Sequence, residues 1–230
     1  MFIIAVMMNG RRYLAIGFDM DQTLLRTNID YDRLSRVSFD EMRRIGVPDH
    51  VIDENESSRF NRERGLDFLR KNGRHGDAEE VMERIFNIFE EIEMENVSDA
   101  RPFEGAVDMI RYLKDKGYKV GVLTKGSRPY ATKALTVSGV IDMLDALVCR
   151  EGHDESETKP SPMAMVYLAD SLGVEPKDIL FIGDNEIDYF CARDSGADFI
   201  GVLSRYTEDD WKERGDIRVM NSVADLTKIL

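Results

Sequence analysis

Short apolar runs recur along the chain, and a small or polar residue follows each of them. The three clearest runs are residues 13–18, 118–123 and 179–182. A continuous apolar run of this length, bounded by turn-forming residues, is typical of a buried β-strand. Residues 145–149 and 198–202 show the same pattern, so the sequence predicts at least five strands.

Helical periodicity fills the intervals between these strands. The helix predicted at residues 163–172 is the best delimited, with Ser161 as its cap, Pro162 in its first turn and Gly173 at its end. A later helix is expected to close at Gly196. Strands that alternate with helices of this length favour crossover connections and a parallel sheet covered on both faces. The predicted fold class is therefore α/β.

One segment, residues 28–100, interrupts this alternation because it contains helical patterns and no convincing strand. We predict that it is a helical domain inserted into a core formed by residues 1–27 and 101–230. Asp77 and Glu80 match the capping pattern at the start of its last helix. That helix carries one apolar stripe, made of Ala78, Val81, Met82, Ile85, Phe86, Phe89 and Ile92.

Composition excludes several classes of function. The 230 residues include 31 Lys and Arg against 44 Asp and Glu, a formal charge of −13. Such a charge repels a phosphate backbone or an anionic membrane surface, so nucleic acid and membranes are not expected partners. With 43% hydrophobic residues, the chain can bury a substantial core.

The cysteines and the first residues bear on the compartment. Cys149 and Cys191 are far apart and form no C-x-x-C motif, which favours a reducing compartment, and we expect a cytoplasmic protein. The apolar run at residues 2–8 is too short to span a membrane. Met7 and Met8 allow either an alternative start or a short edge strand.

Polar residues follow three of the predicted strands directly. They are Asp19, Thr124 and Asp184. Each one alone is as well explained as the N-cap of the next helix. The carboxyl ends of parallel strands meet at one edge of the sheet, where ligands bind in open α/β folds. Together the three residues therefore indicate one polar site.

Acidic residues dominate this expected site. Asp19 and Asp21 lie one residue apart, and two carboxylates held together need a cation. Oxygen ligands favour Mg²⁺, which usually takes one or two carboxylates together with substrate phosphate. Asp184 and Asp188 would supply further oxygens, and the ammonium of Lys159 could offset the negative charge.

At this point the chain resembles the haloacid dehalogenase superfamily of phosphohydrolases, whose four motifs occur here in order. The resemblance implies a Rossmann-like parallel core and, in the segment after the first motif, the small helical cap of phosphoglycolate phosphatase-like and beta-phosphoglucomutase-like members. The matching motifs are Asp19-x-Asp21-x-Thr23, Thr124, Lys159 and Gly183-Asp184-x-x-x-Asp188.

The resemblance also implies roles for the acidic residues. Asp19 would be the nucleophile that forms an aspartyl-phosphate, and Asp21 would be the general acid and base. The metal ligands implied are Asp19, Asp184 and Asp188, together with Asp21 through its backbone carbonyl.

Further roles follow for residues around the phosphate. Thr124 and Lys159 would be catalytic, and the backbone amides of Met20 and Lys125 would hold phosphoryl oxygens. The chain departs from the family at two positions. Gln22 stands where Gly is common, which raises a question about backbone geometry, and Lys125 stands where Asn or Ser is common. The Lys125 side chain is either a substrate contact or a solvated loop residue.

A basic run in the predicted cap, residues 59–74, holds six basic and two acidic residues. Arg59 and Arg62 are candidates for binding a second anionic group of the substrate. The alternative is a solvated helix face that pairs with neighbouring acidic residues.

These observations predict a phosphatase that acts on a small phosphorylated metabolite with Mg²⁺. A phosphomutase is an alternative, since it would use the same aspartates and a similar cap. A non-catalytic module that binds phosphate ligands is a second alternative, although it gives no reason to keep both Asp19 and Asp21. We expect a monomer or a homodimer, and the pattern does not specify the substrate.

Overall fold

The computed structural model describes residues 7–8, 11–150 and 155–230 and divides them into two compact units. The first, called the α/β unit here, contains the residues up to Thr27 together with Ser98–Leu230. The second, called the helical unit, is Asn28–Val97. The chain thus leaves the α/β unit once and returns to it once.

A six-stranded sheet, parallel throughout, forms the centre of the α/β unit. Its strands are β3 (Ala15–Phe18), β6 (Lys119–Leu123), β7 (Ala146–Val148), β8 (Ile179–Gly183), β9 (Asp198–Val202) and β10 (Val219–Met220). Across the sheet they lie in the order β10-β9-β8-β3-β6-β7. The predicted α/β class and the parallel sheet are confirmed. Strand β10 was not predicted, because two residues are too few to make an apolar run.

Strand β3 lies in the middle of the sheet, where Ala15 is in register with both Lys119 and Ile179. All four of its residues are buried, and so are all five of β8. Apolar runs of this kind are what a sheet covered on both faces requires. The carboxyl ends of β3, β6 and β8 therefore lie side by side at one edge.

Helices connect these strands and continue the alternation. Helix α6 begins at Pro162 and ends before Gly173, as predicted. The side chain of Ser161 caps its start by accepting a hydrogen bond from the amide of Met163. The helices of the α/β unit are α4 (Ala106–Asp115), α5 (Arg128–Val137), α6 (Pro162–Leu172), α7 (Glu186–Ser195) and α8 (Glu208–Arg214). Short 3₁₀ turns lie at Val97–Asp99, Ile141–Met143, Glu155–Glu157, Pro176–Asp178 and Val223–Lys228.

Two short antiparallel ladders lie outside the main sheet. Strand β1 (Met7–Met8) pairs with β2 (Arg11–Arg12), so these methionines do not form an edge of the six-stranded sheet. The rest of the apolar run at residues 2–8 lies outside the described residues. Strand β4 (Leu25–Arg26) pairs with β5 (Arg101–Pro102).

Three helices make up the helical unit: α1 (Tyr31–Arg44), α2 (Ser58–Lys71) and α3 (His75–Glu95). The apolar stripe of α3 packs into a core with residues such as Met42 and Leu69. The predicted capping pair Asp77–Glu80 is wrong, because α3 starts two residues before Asp77. Asp77 instead accepts a hydrogen bond from Arg74 at 2.6 Å.

Within the described part of the chain, no helix combines the length and the apolar character that a membrane span would need.

Candidate active site

Three buried carboxylates meet at the carboxyl edge of the sheet. Asp19 follows β3, and its backbone amide donates to the carbonyl of Ile182 at 2.8 Å, which holds it beside the end of β8. Asp184 follows β8, and Asp188 lies in the first turn of α7. One oxygen from each of the three carboxylates lies within 4.8 Å of the others. The predicted convergence of Asp19 and Asp184 is thus what the fold produces.

The position of Asp188 follows from its local backbone. Its Oδ2 accepts a hydrogen bond from the amide of Asn185 at 3.1 Å, as part of the capping box of α7. Its side chain lies directly against Gly183, where an added Cβ would come within 2.5 Å of the Asp188 Cβ. A residue larger than glycine at 183 would therefore displace Asp188 from the cluster.

Lys159 supplies a buried positive charge to this cluster. Its Nζ donates to Asp19 Oδ1 at 2.5 Å and to Asp188 Oδ1 at 2.7 Å, and the residue is only 3% exposed. Burial opposes its charge, but the attraction of Asp188 and Asp19 outweighs that effect and raises the pKa of Lys159 above its ordinary value. Lys159 is therefore a fixed ammonium.

Burial raises the pKa of both Asp184 and Asp188 to about 7. For Asp184 the neighbouring charges of Asp19 and Asp188 add to this effect, whereas Lys159 opposes it for Asp188. The cluster contains three carboxylates and the ammonium of Lys159, so negative charge remains in excess when all three carboxylates are ionised. Hard oxygen donors with surplus negative charge fit Mg²⁺.

Thr23 orders one member of this cluster. Its Oγ1 donates to Asp184 Oδ1 at 3.2 Å in a buried contact. Thr23 of the first motif therefore contacts Asp184 of the fourth motif, which lies 161 residues later in the chain.

The carboxyl of Asp21 is held apart from the acidic cluster. Its Oδ1 accepts hydrogen bonds from Thr27 Oγ1 at 2.7 Å and from the hydroxyl of Tyr130 at 2.6 Å. Sequence reasoning missed both donors, because neither residue belongs to a recognisable motif. The side chain of Asp21 is absent from the described group of carboxylates that could share an ion.

Gln22 takes a left-handed backbone conformation, with φ of 59°. This explains why Gly is common at the position, since few residues with a Cβ adopt such angles at little cost. Its Nε2 donates to the carbonyl of Thr27 at 2.8 Å, which ties the turn after β3 to the start of the next segment.

The predicted phosphate-binding residues line the same edge of the α/β unit. Thr124 is buried, and its Oγ1 accepts from the amide of Gly126 at 3.0 Å. The carbonyl of Lys125 accepts from the Arg150 guanidinium at 3.1 Å. Met20 is fully buried next to Asp19. Their contacts with phosphate stay predictions.

The two candidate arginines differ in their surroundings within the helical unit. Arg59 pairs with Glu63 at 2.6 Å on the surface of α2. Arg62 is 4% exposed, donates to Ser38 Oγ at 3.0 Å and to Ser58 Oγ, and lies over the ring of Phe89. A role in binding substrate stays a prediction for both, and Arg62 has a clear structural role as well.

The sequence model of the haloacid dehalogenase-like hydrolases matches residues 16–202, which is most of the chain. This chain belongs to that family. The family range includes all four motifs and the helical unit. The predicted resemblance is thereby confirmed.

Curated relatives cover nearly the whole chain. A phosphoglycolate phosphatase of Haemophilus influenzae is 25% identical over 226 residues, which cover 95% of this chain and 99% of that protein. Pyrophosphatase PpaX of Bacillus pumilus is 23% identical over an alignment that covers 97% of this chain and 99% of that protein. The predicted enzyme class, a phosphatase-type hydrolase, is confirmed, while these two names concern different substrates.

Solved structures support the fold independently. A hydrolase from Pseudomonas syringae superposes with a TM-score of 0.63 at 22% identity, covering 94% of this chain and 96% of that one. At this identity the likeness shows the fold alone.

Proposed function

We propose that this chain is a Mg²⁺-dependent phosphatase that hydrolyses a small phosphomonoester through an aspartyl-phosphate on Asp19. The observation that carries the proposal is the buried cluster in which Lys159 contacts both Asp19 and Asp188. A buried carboxylate that is held by a fixed ammonium beside two further acids is an expensive arrangement, and stability alone gives no reason for it.

The first half-reaction uses the two aspartates of the first motif. The Asp19 carboxylate attacks phosphorus, and the bond from phosphorus to the ester oxygen breaks. Asp21 gives its proton to the departing oxygen, so the product leaves as an alcohol. Thr124 and the amides of Met20 and Lys125 hold the phosphoryl oxygens during this step.

The second half-reaction regenerates the enzyme. Asp21, now a carboxylate, takes a proton from water, and the hydroxide attacks the phosphorus of the aspartyl-phosphate. Phosphate leaves and Asp19 is restored. Lys159 keeps its proton in both steps and balances the charge of Asp19.

Asp19, Asp184 and Asp188, with the backbone carbonyl of Asp21, would hold the metal. When bound, Mg²⁺ would supply the positive charge that brings an anionic nucleophile and an anionic phosphoryl group together.

We also propose that residues 28–100 act as a cap domain on the core formed by residues 1–27 and 101–230. A cap favours small esters over folded phosphoproteins, which a lid would hinder. Arg59 is the stronger candidate for a contact to substrate, since its side chain is partly exposed whereas Arg62 is buried.

The test is phosphate release from a panel of phosphorylated metabolites with Mg²⁺ or with EDTA. The panel includes 2-phosphoglycolate and pyrophosphate, which the names of the relatives suggest, and p-nitrophenyl phosphate as a generic ester. Asp19→Asn and Asp19→Ala should abolish release. Asp170→Asn, an exposed position in the same unit, should leave it unchanged.

Three results would contradict the proposal. Accumulation of a sugar bisphosphate during turnover would indicate a phosphomutase. Tight binding of phosphate esters without release would indicate a binding module. Substantial turnover by Asp19→Ala would exclude the nucleophile.

A further inference from the structure

The Asp21 carboxyl is held on one oxygen by two donors from different parts of the α/β unit. Thr27 follows β4, and Tyr130 lies on α5, 109 residues after Asp21. A carboxylate oxygen can accept two hydrogen bonds in its plane, and here Oδ1 accepts one from each of two hydroxyl groups. The rotation of the carboxyl group about its Cβ–Cγ bond is thereby fixed.

The neighbouring Gln22 is compatible with a donor role for the Thr27 hydroxyl. Its Nε2 lies 2.8 Å from the carbonyl of Thr27, and a carbonyl oxygen only accepts, so Nε2 donates. The same Nε2 lies 3.5 Å from Thr27 Oγ1. The Thr27 hydroxyl can therefore accept from Gln22 while it donates to Asp21.

Tyr130 is held rigidly enough to act as a fixed donor. The residue is 1% exposed, and its amide donates to Ser127 Oγ at 3.2 Å at the start of α5. Its ring packs against Gly126, where an added Cβ would come within 2.8 Å of a ring carbon. The hydroxyl therefore has little freedom to leave Asp21.

We propose that Tyr130 is a positioning residue for Asp21, and that its hydroxyl, with that of Thr27, reserves Oδ1 as an acceptor so that Oδ2 carries the proton Asp21 transfers. This inference rests on the proposed acid and base role of Asp21. Tyr130 acts through Asp21 and keeps its own proton.

The proton balance is simple. When the bond from phosphorus to the ester oxygen breaks, the proton on Oδ2 moves to that oxygen, and Asp21 becomes a carboxylate. In the second half-reaction a water proton returns to Oδ2. Both hydrogen bonds to Oδ1 persist throughout, so the geometry is ready for each transfer.

The first test is Tyr130→Phe, which removes one hydroxyl and keeps the buried ring. The quantity to compare is kcat/KM, which reports formation of the aspartyl-phosphate and not its hydrolysis, a step common to all esters. We expect kcat/KM for phenyl phosphate, whose leaving group needs protonation, to fall about tenfold, as loss of a hydrogen bond to a charged group implies. With p-nitrophenyl phosphate the fall in kcat/KM should stay within about twofold. Equal losses for the two esters would overturn the inference.

Tyr13→Phe is the matched control. Tyr13 is also buried and donates to an aspartate, Asp198, at 2.5 Å, but Tyr13 precedes β3 and Asp198 begins β9, so the pair lies at the amino edge of the sheet. Its variant should leave both rates unchanged. Thermal unfolding of both variants tests whether the fold is retained.

A double-variant cycle separates positioning from a structural effect. If Tyr130 acts through Asp21, adding Tyr130→Phe to Asp21→Asn should cause no further loss with phenyl phosphate. A further tenfold loss in that background would overturn the inference. Full activity of Asp21→Asn alone with phenyl phosphate would instead overturn the proposed function.

Crystal structures give a readout that needs no turnover. In Tyr130→Phe the Asp21 carboxyl should rotate or take two orientations, because one of the two hydroxyl donors to Oδ1 is removed. An unchanged single orientation would overturn the inference whatever the activity.

Discussion

The ammonium of Lys159 offers the sharpest test of the electrostatics of this site. Lys159→Met keeps most of the aliphatic side chain and removes the charge that Asp19 and Asp188 share. Both contacts are short, at 2.5 and 2.7 Å, and water does not reach the lysine. Solvent therefore cannot replace the lost partner.

The magnitude follows from this burial. Removal of one partner from a buried ion pair costs about 3–5 kcal/mol, because the remaining charge is left uncompensated. We expect this loss in the free energy of unfolding at pH 8, above the pKa of about 7 of Asp184 and Asp188. At pH 5.5 these carboxyls are largely protonated, so the loss should be clearly smaller.

Urea denaturation in EDTA at both pH values measures this difference. Lys177→Met is the matched control, since Lys177 is an exposed lysine that pairs with Glu175, and its loss should not change stability detectably. A Lys159→Met variant as stable as wild type at pH 8 would refute the argument. So would a loss of the same size at both pH values.

Two further predictions concern the acids and the arginines. The raised pKa values of Asp184 and Asp188 mean that the folded state holds their protons more tightly than the unfolded chain does. Without metal, their contribution to stability is therefore present below pH 4 and is lost as the pH rises toward 7. Melting curves in EDTA should show this fall, Asp184→Asn should reduce it, and Mg²⁺ should raise the melting temperature more at pH 8 than at pH 5.5. Arg62→Met should lower the free energy of unfolding by about 1–3 kcal/mol, because it removes a hydrogen-bond donor to the buried Ser38 hydroxyl, whereas Arg59→Met should leave stability unchanged and raise KM if Arg59 contacts substrate. Urea denaturation and KM values check the pair, and the reverse pattern would contradict it.

The residues at the carboxyl edge of the sheet could be predicted, because a residue that directly follows a parallel strand must lie at that edge. Asp19 and Asp184 come directly after apolar runs, and a parallel sheet brings such positions together whatever the intervening chain does. Lys159 does not directly follow an apolar run, so its place at this site was inferred from the negative charge that it would offset and from the resemblance to the family.

Tyr130 and Thr27 could not be predicted in the same way. The contact of Tyr130 with Asp21 depends on how α5 packs. The hydrophobic pattern around Tyr130 does not indicate that its hydroxyl reaches a carboxyl 109 residues away in the chain. The prediction of where α3 starts was wrong for a local reason. Asp77 and Glu80 satisfy the capping pattern, but the helix begins earlier. The carbonyl of Arg74 already accepts a helical hydrogen bond from the amide of Ala78.

The central place of β3 also constrains how the protein can be made. Its two partners, β6 and β8, both lie far downstream, so β3 has no neighbour in the sheet until more than a hundred residues have followed it. The helical unit, whose contacts are local, can fold during this wait. Nascent chains that end before residue 179 therefore cannot assemble the carboxylate cluster, although they already contain Asp19 and the whole helical unit.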